Sequence, residues 1–476
     1  MKAITILFIT ISILGVACTK DFDETNTDPN KLEKVGPSTL LNPILYEMTF
    51  FNMQRAEDFT FQIMQVALPF PSAVGGIHRY DVTESSGNST WNTYYRWLAN
   101  LREMKAAALE SQDPNYQAIA MTLNAWIYSL LSDCFGNVPM EEANRGEEAL
   151  FKPKFDEQQV IYTQLIADLD SANNLYNTGR KMIYQDDLLF RNNVPLWKRF
   201  SNSLRLRLLL RVSKRTEMDA FTKMAAMFNN PTKYPVFTHN DTSAVLRITG
   251  LYPNISPWGR PQDFTTGQAQ AAFILDKLNV VSDPRRARWA TQAKHKTTGA
   301  NIGYKGITSG YTGDENQFDF TPSNKVQGLI VAPMIAPIMT YSEVEFIRAE
   351  LIQRGVLTGN AQTAYENGVK ASITLWGGTV PANYFTNVNA AYDGTLERIL
   401  LQKYFALYFC DYQQWFEYRR TGFPVLPTAD GMMNNKVMPV RFRYPVTIQI
   451  QNKANYDKAV QAMGGDNINT KVWWEK

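Results

Sequence analysis

The residues able to do covalent chemistry are few. The chain has three histidines, His78, His239 and His295, and three cysteines, Cys18, Cys134 and Cys410. No two histidines stand at the helical or hairpin spacing that zinc ligands need. The sequence has no Gly-x-Ser-x-Gly, His-Glu-x-x-His, Cys-x-x-Cys or Gly-x-x-x-x-Gly-Lys-Ser/Thr run, the usual signatures of nucleophile, metal and phosphate sites. Two carboxylates about 5 to 10 Å apart would serve a glycosidase, but 45 acidic residues make chance pairs inevitable. Asp21-Phe22-Asp23-Glu24-Thr25 opens like a calcium loop, yet Asn26 stands where glycine is needed and Leu32 where glutamate is needed. No catalytic residue, metal or cofactor is expected.

Cys18 is different. Met1-Lys2 precedes an uncharged apolar run from Ile4 to Ala17 that closes on a small residue directly before it, which is the pattern of a signal peptide. As a helix the run would be about 21 Å long, short of the ~30 Å of a hydrocarbon core. Cleavage before Cys18 leaves a thiol that takes a diacylglycerol and an N-acyl chain, and several chains anchor stably where one does not. Gly15 stands where such signals usually carry leucine, and plain secretion with Cys18 as a bystander is the alternative. Residues 1–17 are thus expected as signal, 18–37 as a polar tether, and 38–476 as one folded body.

Removal of the signal takes one of 48 basic residues, against 45 acidic, so the mature charge is near zero. No basic run tracks a phosphate backbone, and nucleic acid is not an expected partner. Cys134 and Cys410 lie in apolar runs and are expected as buried free thiols, with a disulfide between them as the alternative.

The elements are mainly helical. Asp113 and Pro114 open a helix whose apolar face is Ile119, Leu123, Trp126 and Leu130, ending at Gly136. Asp156 with Gln159 reads as a capping box before a stripe of Ile161, Leu165 and Leu169. A third helix spans Pro195 to Lys214, with Arg207 and Arg211 expected to snorkel outward. Ser342 with Glu345 reads as a second capping box for a helix stopped by Gly355; another begins near Asn360, and the pair forms a hairpin. Thr395 to Arg420 reads as one mostly buried helix. These pairs suggest tetratricopeptide-like stacking without a clean 34-residue period. Between about 240 and 336, Gly, Pro, Thr and Asn dominate and aromatics appear singly, as in ligand-presenting loops.

Several segments resemble the SusD/RagB family of outer-membrane nutrient-binding lipoproteins, SusD-like branch. They are Asn26-Thr27-Asp28-Pro29-Asn30, Asp133-Cys134-Phe135-Gly136-Asn137-Val138-Pro139, Trp197 through Val212, and Glu343 to Glu350. Gln402-Lys403-Tyr404 with Trp415 to Gly422, and Arg441-Phe442-Arg443-Tyr444-Pro445 through Lys471-Val472-Trp473-Trp474, complete the set. The resemblance implies a mainly α body of tetratricopeptide-like hairpins with long loop excursions and minor β structure. It also implies anchorage in the outer membrane facing the cell exterior, a TonB-dependent SusC-like transporter as partner, and an oligosaccharide, or in some members a peptide, as ligand. A purely structural lid for the transporter is a further alternative. Asp21, Asp23 and Glu24 resemble the surface-export signals of such lipoproteins, or simply keep the tether solvated.

Binding residues do not transfer by these motifs, which read as scaffold. Sugar rings stack their C–H faces on aromatics while their hydroxyls need charged or amide partners. Loop aromatics beside such groups are therefore the candidates: Arg79 and Tyr80 with Trp91, and Trp258 and Arg260 with Phe264 and Tyr311. Trp91, Tyr94, Tyr95 and Leu98 could equally be one packed helix face. Trp258, between Pro257 and Gly259, has no helical stripe to explain it.

Overall fold

The computed structural model describes residues 36–72, 74–182 and 186–476. The signal 1–17, Cys18 and most of the tether lie outside the described residues.

The described residues open with helix α1, Pro37–Arg55. It runs on into a wide π turn over Ala56–Thr60, an insertion that often marks functional places. Helices α2 (Asn88–Glu110) and α3 (Pro114–Phe135) follow. Asp113 caps α3 as expected, accepting from Asn115 N and Tyr116 N. Helix α4 (Gln158–Leu175) packs on α3, and α5 (Val194–Arg211) packs on α4. Later, α6 (Tyr341–Gln353) and α7 (Ala361–Leu375) form the expected hairpin, and α8 (Leu396–Ala406) packs against both. Gly368 on α7 is needed there, because a Cβ would lie 2.9 Å from the Phe346 ring. Stacked helical pairs of this kind confirm a mainly α, tetratricopeptide-like architecture.

Four expectations are corrected. Asp156 does not cap α4; its carboxylate accepts from Met140 N at 2.8 Å and Glu141 N at 2.9 Å, and so holds the segment after α3 instead. Thr340, not Ser342, caps α6. The single helix over Thr395–Arg420 is two, α8 and α9 (Gln413–Thr421), broken where Phe409 and Asp411 take positive φ. Arg207 and Arg211 do not snorkel. Arg207 makes a 2.6 Å ion pair with Glu343, and Arg211 lies 3.2 Å from Asp133, all buried. An unpaired charge there would be costly, so the carboxylates were the missing half of the pattern.

Among the described residues, segments that carry the family resemblance meet in this core. Asp133 also accepts from Tyr162 Oη at 2.6 Å and Trp474 Nε1 at 2.7 Å. Arg420 forks onto Glu350 at 2.8 and 2.7 Å, Lys403 reaches Glu417 at 2.7 Å, and Arg419 pairs with Glu475 at 2.8 Å. They are scaffold, as read from the sequence. Cys134 and Cys410 are buried free thiols.

The 240–336 region is more ordered than a set of loops. Strand β1 (Ala67–Pro69) pairs with β3 (Gln268–Gln270), β2 (Ala244–Ile248) with β6 (Met334–Met339), and β4 (Lys294–His295) with β5 (Phe320–Thr321), all antiparallel. Short helices at Ala272–Val280 and Arg285–Trp289 fill the space between. Their lengths fall below what periodicity detects. Among the described residues no helix is long and apolar enough to cross a membrane.

Candidate functional site

Four chain segments distant in sequence converge beside β1. The backbone of β1 pairs with β3, and Ala271 bridges Ile307. Ser309 Oγ donates to the His78 carbonyl at 2.7 Å, Gly431 N to the Gly310 carbonyl at 2.9 Å, and Met433 N to the Arg79 carbonyl at 2.8 Å. Loops tied by their own backbone groups can hold side chains in fixed positions without help from a helix. A small core of Leu68, Ala269, Ala271, Ile307 and Tyr311 lies beneath them.

On that core rests a shelf of half-buried rings. Phe318 is 5.2 Å from Tyr311, 5.9 Å from Phe70 and 5.9 Å from Phe320, centroid to centroid, and each of these contacts is edge-to-face. Such geometry suits the ring quadrupoles, and Phe70, Phe318 and Phe320 each stay partly exposed. Lys305 Nζ stands 4.8 Å from the Phe320 centroid, while Asp314, Asn316 and Asp319 are exposed on the same segment. The shelf therefore offers partly exposed apolar rings beside charged and amide groups.

Arg79 and Tyr311, 232 residues apart in the chain by their numbers, are brought together. The guanidinium carbon sits 5.3 Å from the Tyr311 centroid, and Nη1 donates to the Gly431 carbonyl at 3.3 Å. Gly431 permits this approach, since a Cβ would overlap Nη1 and lie 2.6 Å from the Gly310 carbonyl. Tyr311 Oη accepts from Ser72 N at 3.0 Å. His78 is buried beside them with Nε2 2.8 Å from Ser72 Oγ. Burial, with the Arg79 charge adding to it, holds its pKa down to about 4, so the imidazole is neutral near pH 7.

The second group from the sequence divides. Trp258 is half-buried and its Nε1 donates to Glu57 Oε2 at 3.2 Å. Glu57 lies on the π turn and also takes a 2.5 Å ion pair from the fully buried Lys325. Burial lowers the Lys325 pKa and Glu57 works against that shift. Arg260 and Asp263 pair with each other at 2.7 Å on the surface.

Arg79 and Tyr311 are themselves buried and support the shelf from beneath, and three further candidates are likewise corrected as direct ligand contacts. Phe264 is buried, edge-on to Trp258 at 5.9 Å, stacked on Phe409 and capped by Lys325 at 3.9 Å from its centroid. Tyr80 is buried at the end of a short turn with φ of 64°. Trp91 is 5% exposed and wedged against Phe135 and Tyr444, so the packed helix face prevails, and it shares no contact with Arg79. Phe70, Phe320, Glu57 and Gly431 escaped sequence reasoning; the prolines flanking Phe70 were the one available signal.

The SusD-like family, described as starch-binding and associating with the outer membrane, matches residues 29–445. A comparison with curated proteins finds no match. Among solved structures, a SusD homolog of Bacteroides fragilis is 22% identical, covers 93% of this chain and 100% of its own, and superposes with a TM-score of 0.80. A chitin-binding protein is 25% identical, with coverages of 92% and 100% and a TM-score of 0.78. A SusD homolog of Bacteroides uniformis is 22% identical, with coverages of 92% and 98% and a TM-score of 0.78. The chain belongs to the SusD-like family of starch- and nutrient-binding proteins that associate with the outer membrane.

Proposed function

We propose that this protein captures oligosaccharides at the cell surface on the shelf of Phe70, Phe318 and Phe320, set on the buried Tyr311, and hands them to a TonB-dependent SusC-like transporter without covalent chemistry. The shelf itself is the observation that carries this reading: linked aromatic rings on a core tied by backbone bonds, with Arg79 locked beneath them. A diacylated Cys18 would hold the body at the outer membrane, and the residues after it would act as the tie. Trp258, positioned through Glu57, and the exposed Arg260 form the neighbouring part of the same loop face.

The family description points to glucans and one structural relative to chitin, so the first ligands to test are malto- and chito-oligosaccharides. Calorimetric titration against these and a set of short peptides is expected to give binding to one sugar series. Loss of that binding in Phe318→Ala supports the shelf. Binding of peptides alone overturns the sugar assignment, and binding of neither favours a structural lid.

A further inference from the structure

Away from the loop face, the segment between α3 and α4 covers a crevice. It is held on both sides: Tyr95 Oη donates to the Pro139 carbonyl at 2.8 Å, Asn144 Nδ2 to the Tyr95 carbonyl at 3.2 Å, and Asn452 Nδ2 to the Pro153 carbonyl at 2.7 Å. The crevice has two parts that share Ala143 and Asn144 as lining. One part, about 220 Å³, is walled by Trp91, Tyr95, Phe151 and Phe155. The other, about 290 Å³, is lined by Lys105, Asn124, Tyr128 and Asp168 beside apolar Leu98 and Met121.

The two parts differ in chemistry. Phe151 is 76% exposed, and leaving so large an apolar ring in water forgoes about 1.5 to 3 kcal/mol of burial. Trp91, which is otherwise buried, also lines this hollow. In the polar part, the Asn124 amide and the Tyr128 hydroxyl have no hydrogen-bond partner among the described residues, and neither belongs to the buried groups sealed from solvent. Asp168 accepts only from Gln164, at 2.8 Å, and burial holds its carboxyl above the usual carboxylate range. Lys105 makes no ion pair within 4 Å among the described residues. An aromatic cage joined to free donors and acceptors is the makeup of a pocket for a ring with polar substituents.

We infer that this crevice is a second saccharide site, taking one or two sugar units with a ring face against the exposed Phe151 and hydroxyls on Asn124, Tyr128, Asp168 and Lys105, with the buried Trp91 in the wall behind as a reporter. The inference rests on the glycan-capture reading but on none of its residues, because no residue lining the crevice belongs to the shelf. A pre-formed second site beside the helical scaffold would let the protein hold two stretches of one chain and raise its retention through effective concentration.

The test uses full-length protein in detergent with 5-fluorotryptophan in place of tryptophan, the Trp91 and Trp258 resonances being assigned with Trp91→Phe and Trp258→Phe. Maltotriose, chitotriose and a phenylalanine-containing tripeptide are each added to about 10 mM, enough to occupy a millimolar site. One of the sugars is expected to shift Trp91 in the wild type and in Phe318→Ala. The shift should weaken about tenfold or more in apparent affinity in Phe151→Ala and in Asp168→Asn. Phe151→Ala removes an exposed ring, so its folding is not at issue. If a sugar binds by calorimetry, Phe318→Ala abolishes that binding and Trp91 does not respond, the crevice is overturned and the shelf stands. If calorimetry finds no sugar bound and Trp91 does not respond, both fall. A Trp91 response to the tripeptide alone overturns the saccharide assignment.

Discussion

Arg79 lies under the ring of Tyr311 at 5.3 Å and reaches past it to the Gly431 carbonyl at 3.3 Å. One buried cation thus ties three loops that are hundreds of residues apart, and its Nε has no partner among the described residues. Such a contact, taken out of water, is worth about 2 kcal/mol. Arg79→Met keeps the volume and loses the tie; its melting temperature is expected to fall and sugar binding with it. Gly431→Ala introduces overlap with Arg79 and is expected to cost about 1 to 3 kcal/mol, measured by denaturant unfolding. Wild-type stability in both variants would contradict the loop-tie role.

Glu57 is expected to be more costly to lose than an ordinary surface acid. Lys325 is fully buried and Glu57 is its ion-pair partner, so Glu57→Gln strands a buried ammonium. Breaking such a pair costs about 3 to 5 kcal/mol. The double variant Glu57→Gln with Lys325→Met should recover much of that loss. Trp258 fluorescence should change in Glu57→Gln, since the indole's charged acceptor becomes a neutral amide, and an unchanged spectrum would separate Trp258 from the π turn.

The neutral, buried His78 makes the loop face sensitive to acid. Its folded pKa is held down to about 4, below the ordinary ~6.5. Between those values the unfolded chain binds the proton first, so stability is present above about pH 6.5 and is lost as pH falls toward 4. The loss amounts to about 3 kcal/mol at the lower end. Asp411 is shifted the other way, up to about 7 by burial, so the His78 contribution is read as the difference between wild type and His78→Gln. That difference should grow between pH 6.5 and 4; parallel curves would remove the imidazole from the account.

Cys134 and Cys410 are unpaired and buried, and burial raises both thiol pKa values. Reductant is expected to leave the melting temperature unchanged, and alkylation to proceed only as fast as the protein unfolds. Rapid labelling of the native protein would contradict this burial.

The helical scaffold was legible in the sequence because its signals are local. The cap at Asp113, the stripe from Ile119 to Leu130 and the stop at Gly355 each lie within a few turns. The errors came where distant partners decide. Arg207 and Arg211 look like snorkelling cations until Glu343 and Asp133 arrive from other helices. The break between α8 and α9 sits in an unbroken apolar run, and positive φ at Phe409 and Asp411 leaves no compositional trace. The site was half-legible. Arg79 and Tyr311 were singled out as a cation and a ring in loops, and the fold joins them. Phe264 and Trp91 have the same residue types in similar company, and only tertiary packing shows that they face inward.

Oligosaccharide titration of the wild type beside the double variant Phe70→Ala with Phe318→Ala tests the shelf most directly. Both rings are partly exposed, so the fold should survive, as a thermal melt can verify. Each stacked ring is worth about 0.5 to 1.5 kcal/mol beyond its buried area, and the pair is expected to weaken binding by about tenfold or more. Undiminished affinity in a folded double variant would place the ligand elsewhere and contradict capture on the shelf.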